Sequence, residues 1–145
     1  MDFTYQTDFA LVDEQLFINW LSSCASHYDA TSLMLVYAFM DDESLLELNR
    51  KYLNHNTLTD IITFDDTIGR DVNANIAISV TRVRENAADL NVSFDEELLR
   101  VMAHGLLHCL AYKDATEPQK KAMRIAEQQC IELFHVEHNK DSHVS

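Results

Sequence analysis

Hydrophobic and polar residues change period several times along the chain, and each change marks an element. Residues 2 to 6 alternate as a short strand does. Asp13 can cap a helix that places Leu16, Phe17, Trp20 and Leu21 on one face. Leu33 to Met40 is an unbroken apolar run rich in β-formers and reads as a buried strand. Asp41 or Asp42 then opens a helix carrying Leu45, Leu46, Leu48, Tyr52 and Leu53. Two further strands, Asp60 to Phe64 and Asn75 to Val80, flank a polar turn region, Asp65 to Asp71, that contains Gly69, and this arrangement predicts a hairpin.

Helical spacing takes over at Thr81, runs to about Leu90, and restarts at Ser93, where Ser93-Phe-Asp-Glu96 matches a capping box. In this second helix Phe94, Leu98, Val101, Met102, Leu106 and Leu110 recur at intervals of three and four. It is expected to reach about Ala111 and, being apolar on most faces, to be central. Thr116-Glu-Pro-Gln119 opens a last helix with a second capping box and a proline in its first turn. Strands interleaved with about five helices, including one antiparallel pair, predict an α+β fold with a small mixed sheet. No repeat or composition shift divides the 145 residues, so they are read as a single domain.

Composition narrows the class. With 47% hydrophobic and 24% charged residues, disorder is excluded, and only two glycines and one proline argue against linker-rich or multi-turn all-β designs. No stretch approaches the roughly 20 apolar residues of a membrane span, and Met1-Asp2-Phe3-Thr4 lacks the start of a secretory signal. Cys24, Cys109 and Cys130 are odd in number and lack C-x-x-C spacing, which fits reduced thiols in a cytoplasmic protein. The formal net charge of -13 speaks against phosphate contacts, which need Lys and Arg. Its distribution changes that conclusion: residues 1 to 49 hold nine acids and no Lys or Arg, whereas residues 50 to 124 hold eleven acids and ten bases. The middle of the chain is nearly balanced and leaves room for a locally basic face.

The chemistry concentrates in the central helix. His104 and His108, four apart, point the same way and can present two imidazole nitrogens to one point. Asp114, just past the helix end, can return a carboxylate as a third ligand. Two His and one carboxylate with a fourth position open to water is a catalytic zinc pattern. Two imidazoles that merely hydrogen-bond in the core are the competing reading. Two details favour the metal. Gly105 costs on the order of 1 kcal/mol in a helix interior, which points to a close approach beside the site. Two imidazoles among Met102, Leu106, Leu107 and Leu110 also carry a desolvation cost unless something binds their lone pairs. The peptidase motif H-E-x-x-H is broken by Gly105, which cannot move a proton.

His104-Gly-Leu-Leu-His108-Cys-Leu-Ala-Tyr112-Lys-Asp114 resembles the H-G-x-L-H-L-x-G-Y-D-H signature of the YbeY family, bacterial single-strand-specific endoribonucleases and rRNA maturation factors. Leu48-Asn49-Arg50-Lys51-Tyr52 and Thr59-Asp60-Ile61-Ile62-Thr63-Phe64 are similar to that family's L-N-x-x-Y-R and T-D-V-L-S-F blocks, and the resemblance spans roughly residues 32 to 134. It implies a zinc-dependent hydrolase that cuts single-stranded RNA, matures the 3′ end of small-subunit rRNA and serves ribosome quality control. Its partners would be rRNA and the small ribosomal subunit or a ribosomal protein, with no membrane and no DNA. It also implies a zincin-like α+β fold, a mixed four-stranded sheet around the metal-bearing helix.

Four departures stand out. Asp114 occupies the place of the family's third histidine, so a harder divalent ion than zinc is better tolerated. Ala111 replaces a glycine. Leu53 replaces the arginine thought to hold phosphate, and Ala74-Asn75-Ile76 stands for G-D-I. Arg50, Arg82, Arg84 and His55 are the candidates to replace the missing cation, and Lys113, Lys120, Lys121 and Arg124 could form a phosphate-attracting rim. Three functions therefore compete: a metal-dependent endoribonuclease, a ribosome-associated RNA- or protein-binding factor with a structural metal, and, disfavoured by Gly105, a metallopeptidase-like hydrolase. Cys109 is expected to be a buried thiol, and His135, His138 and His143 to be surface residues.

Overall fold

Short polar side chains set the helix starts. Asp13, Asp41, Ser79 and Ser93 each accept a hydrogen bond from the backbone N–H three residues on, which satisfies one of the donors a helix start leaves free. The resulting elements are β1 (Asp2–Tyr5), α1 (Glu14–His27), β2 (Ser32–Met40), α2 (Asp42–Leu53), β3 (Ile61–Asp65), β4 (Asp71–Ser79), α3 (Val80–Leu90), α4 (Phe94–Cys109) and α5 (Glu117–His143). The structure, a computed structural model, describes residues 1 to 143, with side chains described through residue 139. At α5 the capping box is reciprocal: Thr116 Oγ1 accepts from Gln119 N–H, and Gln119 Oε1 accepts from Thr116 N–H. At α4 it is half of one, because the Glu96 carboxylate meets His135 Nε2 at 3.2 Å.

The four strands form one mixed sheet in the order β1-β2-β4-β3. β2 runs parallel to both β1 and β4, and β3 pairs antiparallel with β4, as the expected hairpin does. One face carries Leu35, Tyr37, Phe39, Val72, Ala74, Ile76 and Ile78 into the main core, shared with α1, α4 and α5. The other face packs Met40, Ile62 and Ala77 against Leu45 of α2. The apolar run over β2 is only partly buried: Met34 is 65% exposed, because α2 reaches Ala38 and Met40 and leaves the start of the strand open.

α4 is central, with ten of its sixteen residues buried. Its carbonyls also anchor the core, since the buried Tyr37 hydroxyl donates to the Met102 carbonyl at 2.8 Å. Gly105 faces the sheet. A Cβ there would lie 3.0 Å from Ile61 Cδ1 and 3.1 Å from Ile76 Cδ1, so the close approach exists and is made by side chains of β3 and β4. The helix ends at Cys109, two residues earlier than its periodicity predicts. Leu110 caps it, and Ala111 takes a left-handed backbone with φ of 73°. That reversal lets the Tyr112 N–H bond back to the Leu107 carbonyl and carries Asp114 toward the last turn of α4.

Candidate metal centre

His104 and His108 stand one turn apart on α4, and their Nε2 atoms lie 2.9 Å from each other. Asp114 Oδ2 sits 3.4 Å from His104 Nε2 and 3.6 Å from His108 Nε2. Each ring is oriented from behind. His104 Nδ1 donates to Glu127 Oε2 of α5 at 2.7 Å, and His108 Nδ1 donates to the Tyr112 carbonyl at 3.0 Å. Both partners are acceptors, so each Nδ1 carries the hydrogen and each Nε2 of a neutral ring is a bare lone pair.

Three acceptors thus converge on one point, and no hydrogen on the rings can serve all of them. A cation can. Bonds of about 2.0–2.1 Å to a tetrahedral ion put ligand atoms roughly 3.3–3.5 Å apart. The Asp114 distances of 3.4 and 3.6 Å lie at and just beyond that spacing, and the 2.9 Å between the two Nε2 atoms is shorter, so the rings would part slightly around an ion. His104, His108 and Asp114 are also the one group of three among the described residues whose ligand atoms all fall within 4.8 Å. The second-layer carboxylate and carbonyl are the partners that fix the tautomer of ligating histidines. The residues therefore fit a divalent metal with an open position.

The electrostatics are strongly negative. Burial disfavours the His104 imidazolium, and the Glu127 carboxylate, joined by Asp114 and Asp60, outweighs burial and holds its pKa above the ordinary histidine value. Burial raises the pKa of Asp60 and of Glu97, the latter against the pull of Arg100. Two cavities meet at the cluster. One, of about 460 Å³, lies between the segment from Leu53 to Thr59, β3 and the three ligand candidates. The other, of about 330 Å³, is walled by Glu97, Arg100, Val101 and Glu127, and shares Asp60, Ile61, His104 and Asp114 with the first.

The candidate cations scatter. His55 lines the larger cavity, as do Leu53 and both histidines. Arg50 Nε donates to Asn56 at 2.5 Å, Arg82 is held by Asp42 and Glu85, both at 2.8 Å, and the Arg84 guanidinium lies 5.2 Å above the Phe94 ring. Lys113, Lys120, Lys121 and Arg124 are exposed and line neither cavity, so they do not build a rim at the metal point. Asn75 lies across the sheet, in the hollow beneath α2.

Cys109 is buried, with its thiol pushed up to about 12 chiefly by burial. His135 pairs with Glu96, His138 packs 6.1 Å from the Phe134 ring, and the His143 side chain lies outside the described residues. Glu127 and Arg100 escaped the sequence reading, and Asp60 entered it only as a strand start and as part of the T-D-V-L-S-F-like block. Arg100 had a signal, since it lies four residues before His104 in the row that ends at His108. Glu127 had none, as one acid among several on α5.

Comparison with known proteins identifies the family. The family model described as Endoribonuclease YbeY matches residues 4–135. The chain is 47% identical over 137 residues to Endoribonuclease YbeY of Flavobacterium johnsoniae, covering 94% of this chain and 99% of that one. It is 39% identical over 132 residues to the protein of the same name in Cytophaga hutchinsonii, covering 90% and 92%. A Thermotoga maritima protein solved in solution superposes with a TM-score of 0.68 at 23% identity, covering 97% of this chain and 93% of the other, which supports the fold. By the extent of the family match and the level of these identities, the chain belongs to the YbeY endoribonuclease family.

Proposed function

We propose that this chain is a zinc-dependent endoribonuclease that cuts single-stranded RNA in the cytoplasm, acting on the 3′ end of small-subunit rRNA and in ribosome quality control. The observation that carries the reading is the meeting of two Nε2 lone pairs and the Asp114 carboxylate at one point in a cleft. His104, His108 and Asp114 would hold the ion. Two imidazoles and one carboxylate suit zinc, and the carboxylate also admits a harder divalent ion. When bound, the ion supplies Lewis acidity, which makes water a better nucleophile and offsets charge on the phosphodiester.

The protein's own residues do the positioning. Glu127 and the Tyr112 carbonyl hold the rings in register, and Ile61 adds an apolar patch to the cleft lining. Gly105 points at Ile61 and Ile76, so the position that carries the general base in zinc peptidases is turned into the core, which speaks against peptide hydrolysis. Three buried free cysteines, and no membrane-crossing helix among the described residues, are compatible with a reducing cytoplasm.

The test is cleavage of a labelled single-stranded RNA by the zinc-loaded chain, with and without chelator and beside His108→Ala. Cleavage that needs the metal and disappears in the variant supports the proposal. A metal-loaded parent that leaves the RNA intact under conditions where the Flavobacterium johnsoniae relative cuts it overturns the enzymatic reading. If His108→Ala then loses stability while keeping RNA affinity, the metal is structural and the chain is a binding factor.

A further inference from the structure

A phosphodiester entering this cleft meets carboxylates almost everywhere. Asp60, Glu97, Asp114 and Glu127 line the two cavities that join at His104, and burial leaves Glu97 and Glu127 only 4% and 5% exposed. No lysine lines either cavity, and among the described residues Arg100 is the one side chain there with a permanent positive charge. Of the other arginines of the middle region, Arg50, Arg70, Arg82 and Arg84 are committed to Asn56, Asp29, Asp42 with Glu85, and Phe94 respectively, and the exposed Arg124 lines neither cavity.

Arg100 is built for the role. It precedes His104 by four residues, so both side chains rise from the same face of α4. Its Nη2 lies 2.6 Å from Glu97 Oε1, one turn earlier on the same helix, as an ion pair whose angles fall short of a hydrogen bond. The Glu97 side chain beneath it is 6% exposed and that of Arg100 is 32% exposed, so the carboxylate forms a buried footing and the guanidinium stands in the cavity mouth. A guanidinium held on one edge keeps other donors of its planar fork for an anion, and that fork matches phosphate oxygens.

We propose that Arg100 is a substrate-binding residue of the cleft, which takes a phosphate oxygen of the bound RNA next to the metal point, and that Glu97 positions it. The cation that position 53 lacks is thus supplied from the adjoining cavity. Leu53 lines the larger cavity, whereas Arg100 lines the smaller one, and His104 and Asp114 are common to both. This inference rests on the proposed ribonuclease function but is separable from it.

The experiment compares the full-length zinc-loaded parent with Arg100→Gln and with Arg100→Gln/Leu53→Arg. Glutamine keeps a donor for Glu97 and removes the charge, so the buried carboxylate is not orphaned. The probe is a fluorescent single-stranded oligoribonucleotide. Three quantities are read: metal per chain, kcat and KM for cleavage, and RNA affinity as a function of salt.

Arg100→Gln is expected to keep its metal, lose about ten- to a hundredfold in kcat/KM, and lower the slope of log affinity against log salt by about 1. Leu53→Arg added to it is expected to recover part of the affinity and restore the slope. An unchanged salt slope in Arg100→Gln overturns the assignment, as does loss of metal in step with activity, which would make Arg100 a support of the metal site. If the metal-loaded parent does not cut RNA, the ribonuclease reading fails, and the salt slope of Arg100→Gln still decides whether Arg100 holds phosphate.

Discussion

Glu127 of α5 accepts a hydrogen bond from His104 Nδ1 at 2.7 Å while only 5% exposed, so a carboxylate from the last helix sets the direction in which a histidine of the central helix presents its lone pair. The metal point is therefore a product of helix packing as well as of spacing within α4. Moving α5 would turn the His104 ring.

Replacing Glu127 tests that relationship. Second-layer partners of ligating histidines contribute roughly 10- to 100-fold to metal affinity. Glu127→Ala is expected to weaken zinc binding by about that factor, and Glu127→Gln by less, since its amide oxygen can still accept from Nδ1. Competition against a chromophoric chelator measures both. Equal affinity in parent and Glu127→Ala would mean that the ring is oriented by something else.

The same contact sets a pH dependence. His104 has its pKa raised in the metal-free fold, so its protonated form contributes stability that is complete below the unfolded value of about 6.5 and is lost as pH rises through the folded value. Zinc needs the neutral ring. The rise in melting temperature on adding zinc should therefore grow between roughly pH 6 and pH 8. Thermal scans with and without zinc across that range check it, and a zinc effect independent of pH would contradict it.

Ala111 turns the chain out of α4 with φ of 73°, in the same left-handed region that Asn54 and Asn91 use at the ends of α2 and α3. Asparagine tolerates this backbone more readily than alanine, which takes it at a cost of about 1–2 kcal/mol. Ala111→Gly is expected to stabilise by about 1 kcal/mol after the larger entropy of the unfolded glycine chain is deducted. That corresponds to roughly 2–4 °C in melting temperature for a chain of this size. A lower or unchanged value would show that the turn is not strained.

Gly105 sets the opposite case. An alanine would gain about 1 kcal/mol in helix propensity, but its Cβ would stand 3.0 Å from Ile61 Cδ1 and 3.2 Å from Ile76 Cγ2. The Cγ2 methyl is fixed to a β-branched carbon in a central strand and cannot swing away. Overpacking of this kind costs about 1–3 kcal/mol, so Gly105→Ala is expected to destabilise modestly and to lower zinc affinity by shifting α4. Chemical denaturation of the variant decides the sign, and a more stable variant would show that the sheet yields.

Residues whose role is local were legible before the fold was known. The row from Ser93 through His108 sets both the α4 start and the metal spacing, because a helix repeats every 3.6 residues whatever surrounds it. Gly105 could be singled out because a glycine is costly inside a helix, and Ala111 because it stands where the resembled family has a glycine. What depends on tertiary placement was not legible. Glu127 lies 23 residues from His104 and resembles the surface acids of α5. Arg82 and Arg84 stood out as candidate cations and Arg100 did not, and only packing commits the first to Asp42 and the second to Phe94. The run over β2 read as uniformly buried because apolar content does not reveal that α2 stops short of Met34.

The central claim is that His104, His108 and Asp114 close round one cation, and zinc per chain after exhaustive dialysis of the purified protein tests it most directly. The parent should retain one ion, Asp114→Ala should hold it far more weakly, and His104→Ala/His108→Ala should retain none while its helices persist by circular dichroism. Zinc held as tightly by the double variant as by the parent would contradict the claim.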